Sequence, residues 1–237
     1  MHLTSLRRVT LAFLALAAST LSLVAVTSAP AHAETVQTVA HLQRNYSLVR
    51  HGSAVTFQGW VTAAGSSEPG YPGATYLQRR IVGQTAWATL PPRRDLTQAD
   101  PTPTWQTIPS YSADYRLYFA GITQGDLVVK PSVSATVRVN VRRNLHDNFR
   151  RTTRVFYGKV TPAYARRVVT IQKSTCASPT STSCRWVTYK GVRTTGTSAW
   201  SAKLPVYSRR THFRAVVKPS NGYYTSFSNN YVTTYRY

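Results

Sequence analysis

Apolar and polar positions alternate with a period of two in segment after segment of this chain, the spacing of extended strands with one buried face. In Arg154-Val-Phe-Tyr-Gly-Lys-Val160, Phe156, Gly158 and Val160 fall on one face, and Val55-Thr-Phe-Gln-Gly-Trp-Val61 has the same layout. Val169-Thr-Ile-Gln-Lys173 answers Thr75-Tyr-Leu-Gln-Arg79, and Trp186-Val-Thr188 answers Trp87-Ala-Thr89. Gly59 to Gly158 and Trp87 to Trp186 are both 99 residues apart. The pattern predicts two copies of one all-β unit of about 100 residues, each long enough for its own core.

Strands are expected in the first unit near 46–49, 54–62, 74–80, 86–90, 104–108, 114–120 and 132–141. In the last of these Val133, Ala135, Val137, Val139 and Val141 alternate with polar residues. The stretches 65–73 and 91–103, rich in Gly and Pro, are expected to be loops, since proline cannot donate to a ladder. Periodicity fades and charge rises at 142–152, where a linker or opening strand is expected. The second unit predicts strands near 154–161, 168–173, 185–189, 198–204, 211–217 and 227–235. Phe156, Val169, Ile171, Trp186 and Phe213 form its expected interior. Phe227, Tyr231 and Tyr235 are expected to face that core. Domain limits follow as 1–33, a signal peptide; 34–141, a first β-sandwich; 142–152, the linker or opening strand; and 153–237, a second, strongly basic β-sandwich.

About seven short strands per unit, with no helical stretch after the leader, is the pattern of a β-sandwich. Phe156-Tyr-Gly-Lys-Val160, Val169-Thr-Ile-Gln-Lys173, Trp186 and Phe213-Arg-Ala-Val-Val217, with a weaker set at 57–119, resemble the immunoglobulin-like or fibronectin type III-like modules of secreted bacterial proteins, particularly actinomycete-type ones. The resemblance implies two tandem immunoglobulin-like domains of the spacer, adhesion or binding kind. No catalytic or ligand-binding residue carries over from it.

The N-terminus carries a targeting address. Arg7 and Arg8 precede an apolar run at 9–26, and Ala31-His-Ala33 has the small-residue form of a cleavage site, so the mature chain is expected to begin near Glu34. The competing reading is an uncleaved anchor, against which Ser19, Thr20 and Ser22 interrupt the run; no later stretch is apolar enough to span a bilayer. Export places Cys176 and Cys184 in an oxidising space, where they are expected to pair across a polar loop. Their spacing is not that of a C-x-x-C redox pair, and two cysteines without paired histidines do not make a zinc site.

Little in the chain carries chemistry. From 142 onward there is one acid, Asp147, so a carboxylate pair is excluded there. Asp95, Asp100, Asp114 and Asp126 are expected in loops or at a strand start, where Asp serves turns. No G-x-S-x-G, H-E-x-x-H or phosphate-binding glycine loop occurs, and neighbouring His146 and Asp147 would point to opposite faces of a strand. A non-enzymatic protein without cofactor is expected.

Charge changes the picture. Residues 34–141 hold 9 basic and 6 acidic residues, whereas 142–237 hold 18 basic and 1 acidic. Arg150, Arg151, Arg166, Arg167, Arg209 and Arg210 fall in turns or the linker, and Lys159, Arg214 and Lys218 on or near outward strand faces. Together they form a candidate polyanion-binding surface, with Tyr207, Tyr223 and Tyr224 as candidate stacking residues. Coding bias toward arginine, or solubility, would give the same excess without a ligand. The expected partner is an anionic envelope polymer or acidic polysaccharide, or in a second reading an acidic partner protein docked at the cell surface. Nucleic acid would bind only without sequence preference.

Overall fold

The structure, a computed structural model, describes residues 34–176 and 184–234. The expected leader, the tip of the cysteine loop and Tyr235 lie outside the described residues. All regular elements described are strands. They are β1 (Glu34–Val36), β2 (Thr38–Arg44), β3 (Leu48–Arg50), β4 (Val55–Ala63), β5 (Gly73–Ile81), β6 (Ala88–Leu96), β7 (Thr104–Thr107), β8 (Ala113–Phe119), β9 (Ile122–Gln124), β10 (Leu127–Val129), β11 (Ser132–Val133) and β12 (Val137–Arg142). There follow β13 (Asn144–Arg150), β14 (Val155–Thr161), β15 (Val168–Ser174), β16 (Trp186–Arg193), β17 (Ala199–Lys203), β18 (Thr211–Val217), β19 (Ser226–Phe227) and β20 (Tyr231–Thr233).

One strand order occurs twice. A sheet β2-β4-β7 faces a sheet β3-β12-β8-β5-β6, and β13-β14-β17 faces β16-β15-β18 with β19 and β20 both paired to β18. Each pair of sheets encloses one apolar cluster. The first includes Phe57, Leu77, Trp105, Tyr115, Leu117 and Phe119; the second includes Phe156, Ile171, Trp200, Leu204 and Phe213. The chain is thus an all-β tandem of sandwiches.

The glycines that mark the repeat have a packing cause. A Cβ at Gly59 would lie 3.1 Å from the Trp105 ring, and one at Gly158 would lie 3.0 Å from the Trp200 ring and 2.6 Å from the His146 carbonyl. Each glycine makes room for the indole of the neighbouring strand. These are the core tryptophans. Trp186, expected inside, instead lies half-buried on the outer face of its sheet, as does Trp87.

Other expectations are corrected by local hydrogen bonding. The 91–103 stretch does not begin as a loop, because β6 runs through Pro91 and Pro92. This is tolerated because β6 is an edge strand and its register with β5 shifts between Thr75 and Leu77, opposite the prolines. The strand expected at 132–141 is broken. Ser134 turns inward, its hydroxyl accepting from the Leu117 N–H at 2.9 Å, and Val133 is left 47% exposed. The second sandwich repeats the break, Ser228 accepting from the Ala215 N–H at 2.7 Å. Phe227, expected in the core, is for the same reason exposed. Strand β2 was not expected at all, and the stretch at 142–152 is largely the seven-residue strand β13.

The sandwiches belong to one compact unit, 33–237. Arg143, 3% exposed, sits between them. Its backbone N–H donates to Ser226 Oγ at 2.8 Å, its guanidinium donates to Ser220 at 3.0 Å, and it stacks 4.0 Å above the Tyr223 ring. Burial pushes the Arg143 pKa down. Tyr223, borne on the loop between β18 and β19, is buried in the first sandwich's cluster against Tyr111. The Ser112 N–H donates to the Gly222 carbonyl at 2.7 Å and the Tyr224 N–H to Val141 at 2.8 Å.

Candidate functional site

At the end of the second sandwich away from that junction lies a cleft of about 970 Å³. The hairpin turn between β13 and β14 supplies Arg151 and Arg154, and the segment leading into β18 supplies Arg210. Phe149 and Tyr231, with ring centroids 5.8 Å apart, contribute aromatic wall, and Asn230 an amide. Among the described residues the lining contains no acidic side chain. Tyr231 is held by its own hydroxyl, which donates to the Asp147 carbonyl at 3.1 Å, and burial pushes its phenol up to about 12. Arg154 takes a left-handed backbone (φ 57°), rare without a glycine, at the residue where the turn enters β14. Its carbonyl accepts from the Leu204 N–H at 2.9 Å, tying this turn to the chain end of β17.

Three arginines lining one cleft raise the local potential for an anion more than the same charges dispersed. With no acidic side chain among the described lining residues to neutralise them, the cleft can take several phosphate, sulfate or carboxylate groups. Its aromatic wall suits the apolar face of a sugar.

The candidate basic residues do not form one patch. Arg151 and Arg210 meet in the cleft, with Arg150 and Arg209 as their chain neighbours. Arg166 and Arg167 lie beyond the opposite end of β14, by the junction, where the Arg167 guanidinium is 5.8 Å from the Tyr164 ring that also lies under Arg143. Lys218 is exposed just after β18, beside the same junction. Lys159 faces outward on β14 between His146 and Ala199. Arg214 does face outward, but its guanidinium lies between the rings of Trp186 at 4.2 Å and Phe227 at 4.5 Å and donates to Gln172 at 2.9 Å. It is a structural element of the sheet surface and not a free contact. Burial lowers its pKa.

The stacking candidates also separate. Tyr223 is 6% exposed with Arg143 over its face, so it offers no platform to a ligand. Tyr207 packs on Phe213 and receives a hydrogen bond from Lys173 Nζ at 3.3 Å. Tyr224 alone of the three is exposed. Arg154 and the Phe149–Tyr231 wall were missed by sequence reasoning, although the Arg151-Thr-Thr-Arg154 spacing is the signal of two arginines in one tight turn.

The outward arginine of β18 has a counterpart. Arg116 donates to Gln78 at 2.8 Å and lies 4.1 Å over Trp87, as Arg214 does with Gln172 and Trp186. This explains the recurring Gln and Trp as parts of one surface clasp.

The acids are structural. Asp114 is buried within β8 and receives Arg138 at 2.8 Å and Arg80 at 3.1 Å; the Arg138 hydrogen bond foremost holds its carboxyl below the usual range. Asp95 lies in β6 and pairs with Arg93 at 2.7 Å. Asp147 accepts from the Asn229 N–H at 3.2 Å, while His146 meets Thr161 at 3.0 Å. Among the described residues no three His, Cys, Asp or Glu side chains gather as a metal site. Cys176 and Cys184 are disulfide-bonded, with Cα atoms 5.6 Å apart.

No protein-family model matches the chain, and no curated protein sequence does. Among solved structures the chain is similar to the D0–D1 domain of intimin, at 10% identity and a TM-score of 0.29 over 84% of this chain and 100% of that one. A chain from a 1.5-MDa bacterial ice-binding adhesin matches at 11% identity and a TM-score of 0.24, over 85% of this chain and 66% of that one.

Proposed function

We propose that the protein is a secreted, non-enzymatic binding and adhesion module that holds anionic envelope polymers or acidic polysaccharide through its C-terminal sandwich. The observation that carries this reading is the cleft lined by Arg151, Arg154 and Arg210 beside Phe149 and Tyr231, with no acidic side chain among its described lining residues. The half of the chain that bears it holds 18 basic residues to one acid, so long-range attraction delivers a polyanion to the cleft. The leader pattern and the disulfide support an extracellular or wall-associated place of action.

The test is salt-gradient elution of the full mature chain from immobilised heparin and from immobilised poly-L-glutamate. The wild type should elute well above physiological salt. Arg151→Glu/Arg210→Glu should lower the elution point more than Arg166→Glu/Arg167→Glu, which removes the same charge from the junction end. Equal losses would reduce the attraction to bulk charge and overturn the cleft as the site. Retention on polyglutamate with none on heparin would favour an acidic protein partner instead.

A further inference from the structure

We infer that the protein assembles head to tail, the acidic end of the first sandwich of one copy docking in the cleft at the far end of the second sandwich of another. Polymer and partner copy would compete for that cleft, so this assembly goes beyond the adhesion reading and does not rest on it.

The chain already contains one contact of this kind. At the junction the loop between β18 and β19 enters the end of the first sandwich: the Tyr223 ring lies 5.3 Å from Tyr111 and 6.1 Å from His51, and Tyr224 forms a parallel bridge with Arg142. Three segments make that seat. They are the β2–β4 connection with His51, the β7–β8 segment with Tyr111 and Ser112, and the end of β12 with Val141 and Arg142. The same three segments of the second sandwich line the cleft: the β13–β14 turn with Arg151 and Arg154, the β17–β18 segment with Val206 and Arg210, and β20 with Tyr231. Register supports the match, since Tyr231 pairs with Phe213 of β18 as Val137 pairs with Tyr115 of β8. The cleft is therefore the seat for a following module, repeated at the end of the tandem.

The repeat and the charge together name the occupant. The loop that fills the inner seat follows β18; the corresponding loop of the first sandwich, 120–131, follows β8 and carries the β9–β10 hairpin, with exposed Asp126 at its turn. Strand direction puts this loop at the end of the molecule opposite the cleft. There β5 begins, with Gly73 beside Leu96 and Thr75 beside Phe119, and it reaches the junction with Ile81 beside Ala113. Five of the seven acids of the chain gather at that end: Glu34, on the strand paired to the hairpin, Glu68, Asp95, Asp100 and Asp126. Asp95 is taken by Arg93, while the other four are exposed and form no ion pair among the described residues; Arg94 and Lys130 are the bases beside them. The cleft end has the opposite composition, with Arg151, Arg154 and Arg210 flanked by Arg150 and Arg209 and no acidic side chain among the described lining residues. A contact between unlike ends does not close on itself as a two-fold dimer does, so copies add in a row. The inner seat holds an aromatic ring and the outer one presents charge, which makes the contact between copies the salt-sensitive one.

The experiment is sedimentation velocity of the full mature chain over a range of protein concentrations. At about 0.1 M salt, where the Debye length is about 10 Å, the average mass should climb above that of a single chain as concentration rises, and at about 1 M salt it should fall back. Arg151→Glu/Arg210→Glu and Glu68→Lys/Asp126→Lys should each raise the dissociation constant at least about tenfold, and an equimolar mixture of the two variants should associate again, because each supplies the end that complements the other. Arg166→Glu/Arg167→Glu should leave association unchanged. A wild type that stays a single chain at every concentration, association undiminished in either end variant, or a mixture that stays dissociated overturns the assembly. So does an equal loss with Arg166→Glu/Arg167→Glu, which would reduce the attraction to bulk charge. Glu68→Lys/Asp126→Lys leaves the cleft intact and should elute from heparin as the wild type does, so failure of the assembly and failure of polymer binding are told apart.

Discussion

Asp114 shows how much one residue of this acid-poor chain has to do. Its side chain is 8% exposed and takes hydrogen bonds from two arginines on flanking strands, Arg138 on β12 and Arg80 on β5. Those bonds, Arg138 first, outweigh the burial that opposes them, so the folded carboxyl titrates below its ordinary 3.8. The native state then binds fewer protons than the unfolded one in acid. The stabilisation is fully present above pH 3.8 and is lost as pH falls through the folded value. Asp114→Asn should therefore cost roughly 1.5–3 kcal/mol at pH 7, the range for hydrogen bonds to charged groups. In urea titrations the gap to wild type should close as the pH is taken well below 4; a gap as wide at pH 2 as at pH 7 would show that the carboxylate charge is not what holds the three strands.

At the level of strands, the hairpin β15–β16 joins the clasp to the disulfide. Its ladder ends at Ser174 opposite Trp186, the Thr175 N–H bonds the Arg185 carbonyl at 2.9 Å, and the bridge follows one residue further on each strand. Closing a loop with a sequence separation of 8 should contribute roughly 2–3 kcal/mol through the unfolded chain. Cys176→Ser/Cys184→Ser should lower unfolding free energy by that amount in denaturant titration, while a loss under 0.5 kcal/mol, about the scatter of a surface substitution, would assign the bridge no such role. Strands with clean alternation, such as β8 and β18, were legible, because Tyr115, Leu117, Phe119 and Phe213, Ala215, Val217 can be buried only on one face. What alternation could not show was hydrogen bonding that overrides it. Val133 and Phe227 read as inward until Ser134 and Ser228 turn in to hold β8 and β18. Trp186 read as core because an indole is apolar, yet a guanidinium covers it as well as another side chain would. β2 was hidden by its weak contrast, Val39 exposed and Ala40 buried. The larger cleft was half legible: Arg151 and Arg210 were named, but that two turns meet there follows from tertiary packing alone.

The molecule as a whole joins its sandwiches through a cation that forms no ion pair among the described residues. Arg143 is buried, its Nε has no partner, and its charge is met by the faces of Tyr223 and Tyr164 and by Ser220. Such a cation is tolerated because tyrosine faces and a carbonyl replace its hydration. Tyr223 extends the contact by lending its ring to the other sandwich's core, and Gly222 permits the approach: a Cβ there would lie 3.2 Å from Tyr111. Docking of this kind couples the two cores, so the wild type should melt in one calorimetric transition. Tyr223→Ala removes the shared ring, a change that costs about 3–5 kcal/mol for a buried aromatic, and leaves Arg143 half uncovered. The expected result is two resolved transitions. A variant that still melts in a single transition at the wild-type temperature would show that the cores are coupled elsewhere, and a wild type with two would show that Arg143 and Tyr223 couple nothing. Rigid docking also separates the charge: the three-arginine cleft faces away from the junction while Arg166, Arg167 and Lys218 stay beside it, so the two basic regions meet a polymer at opposite ends of the C-terminal sandwich.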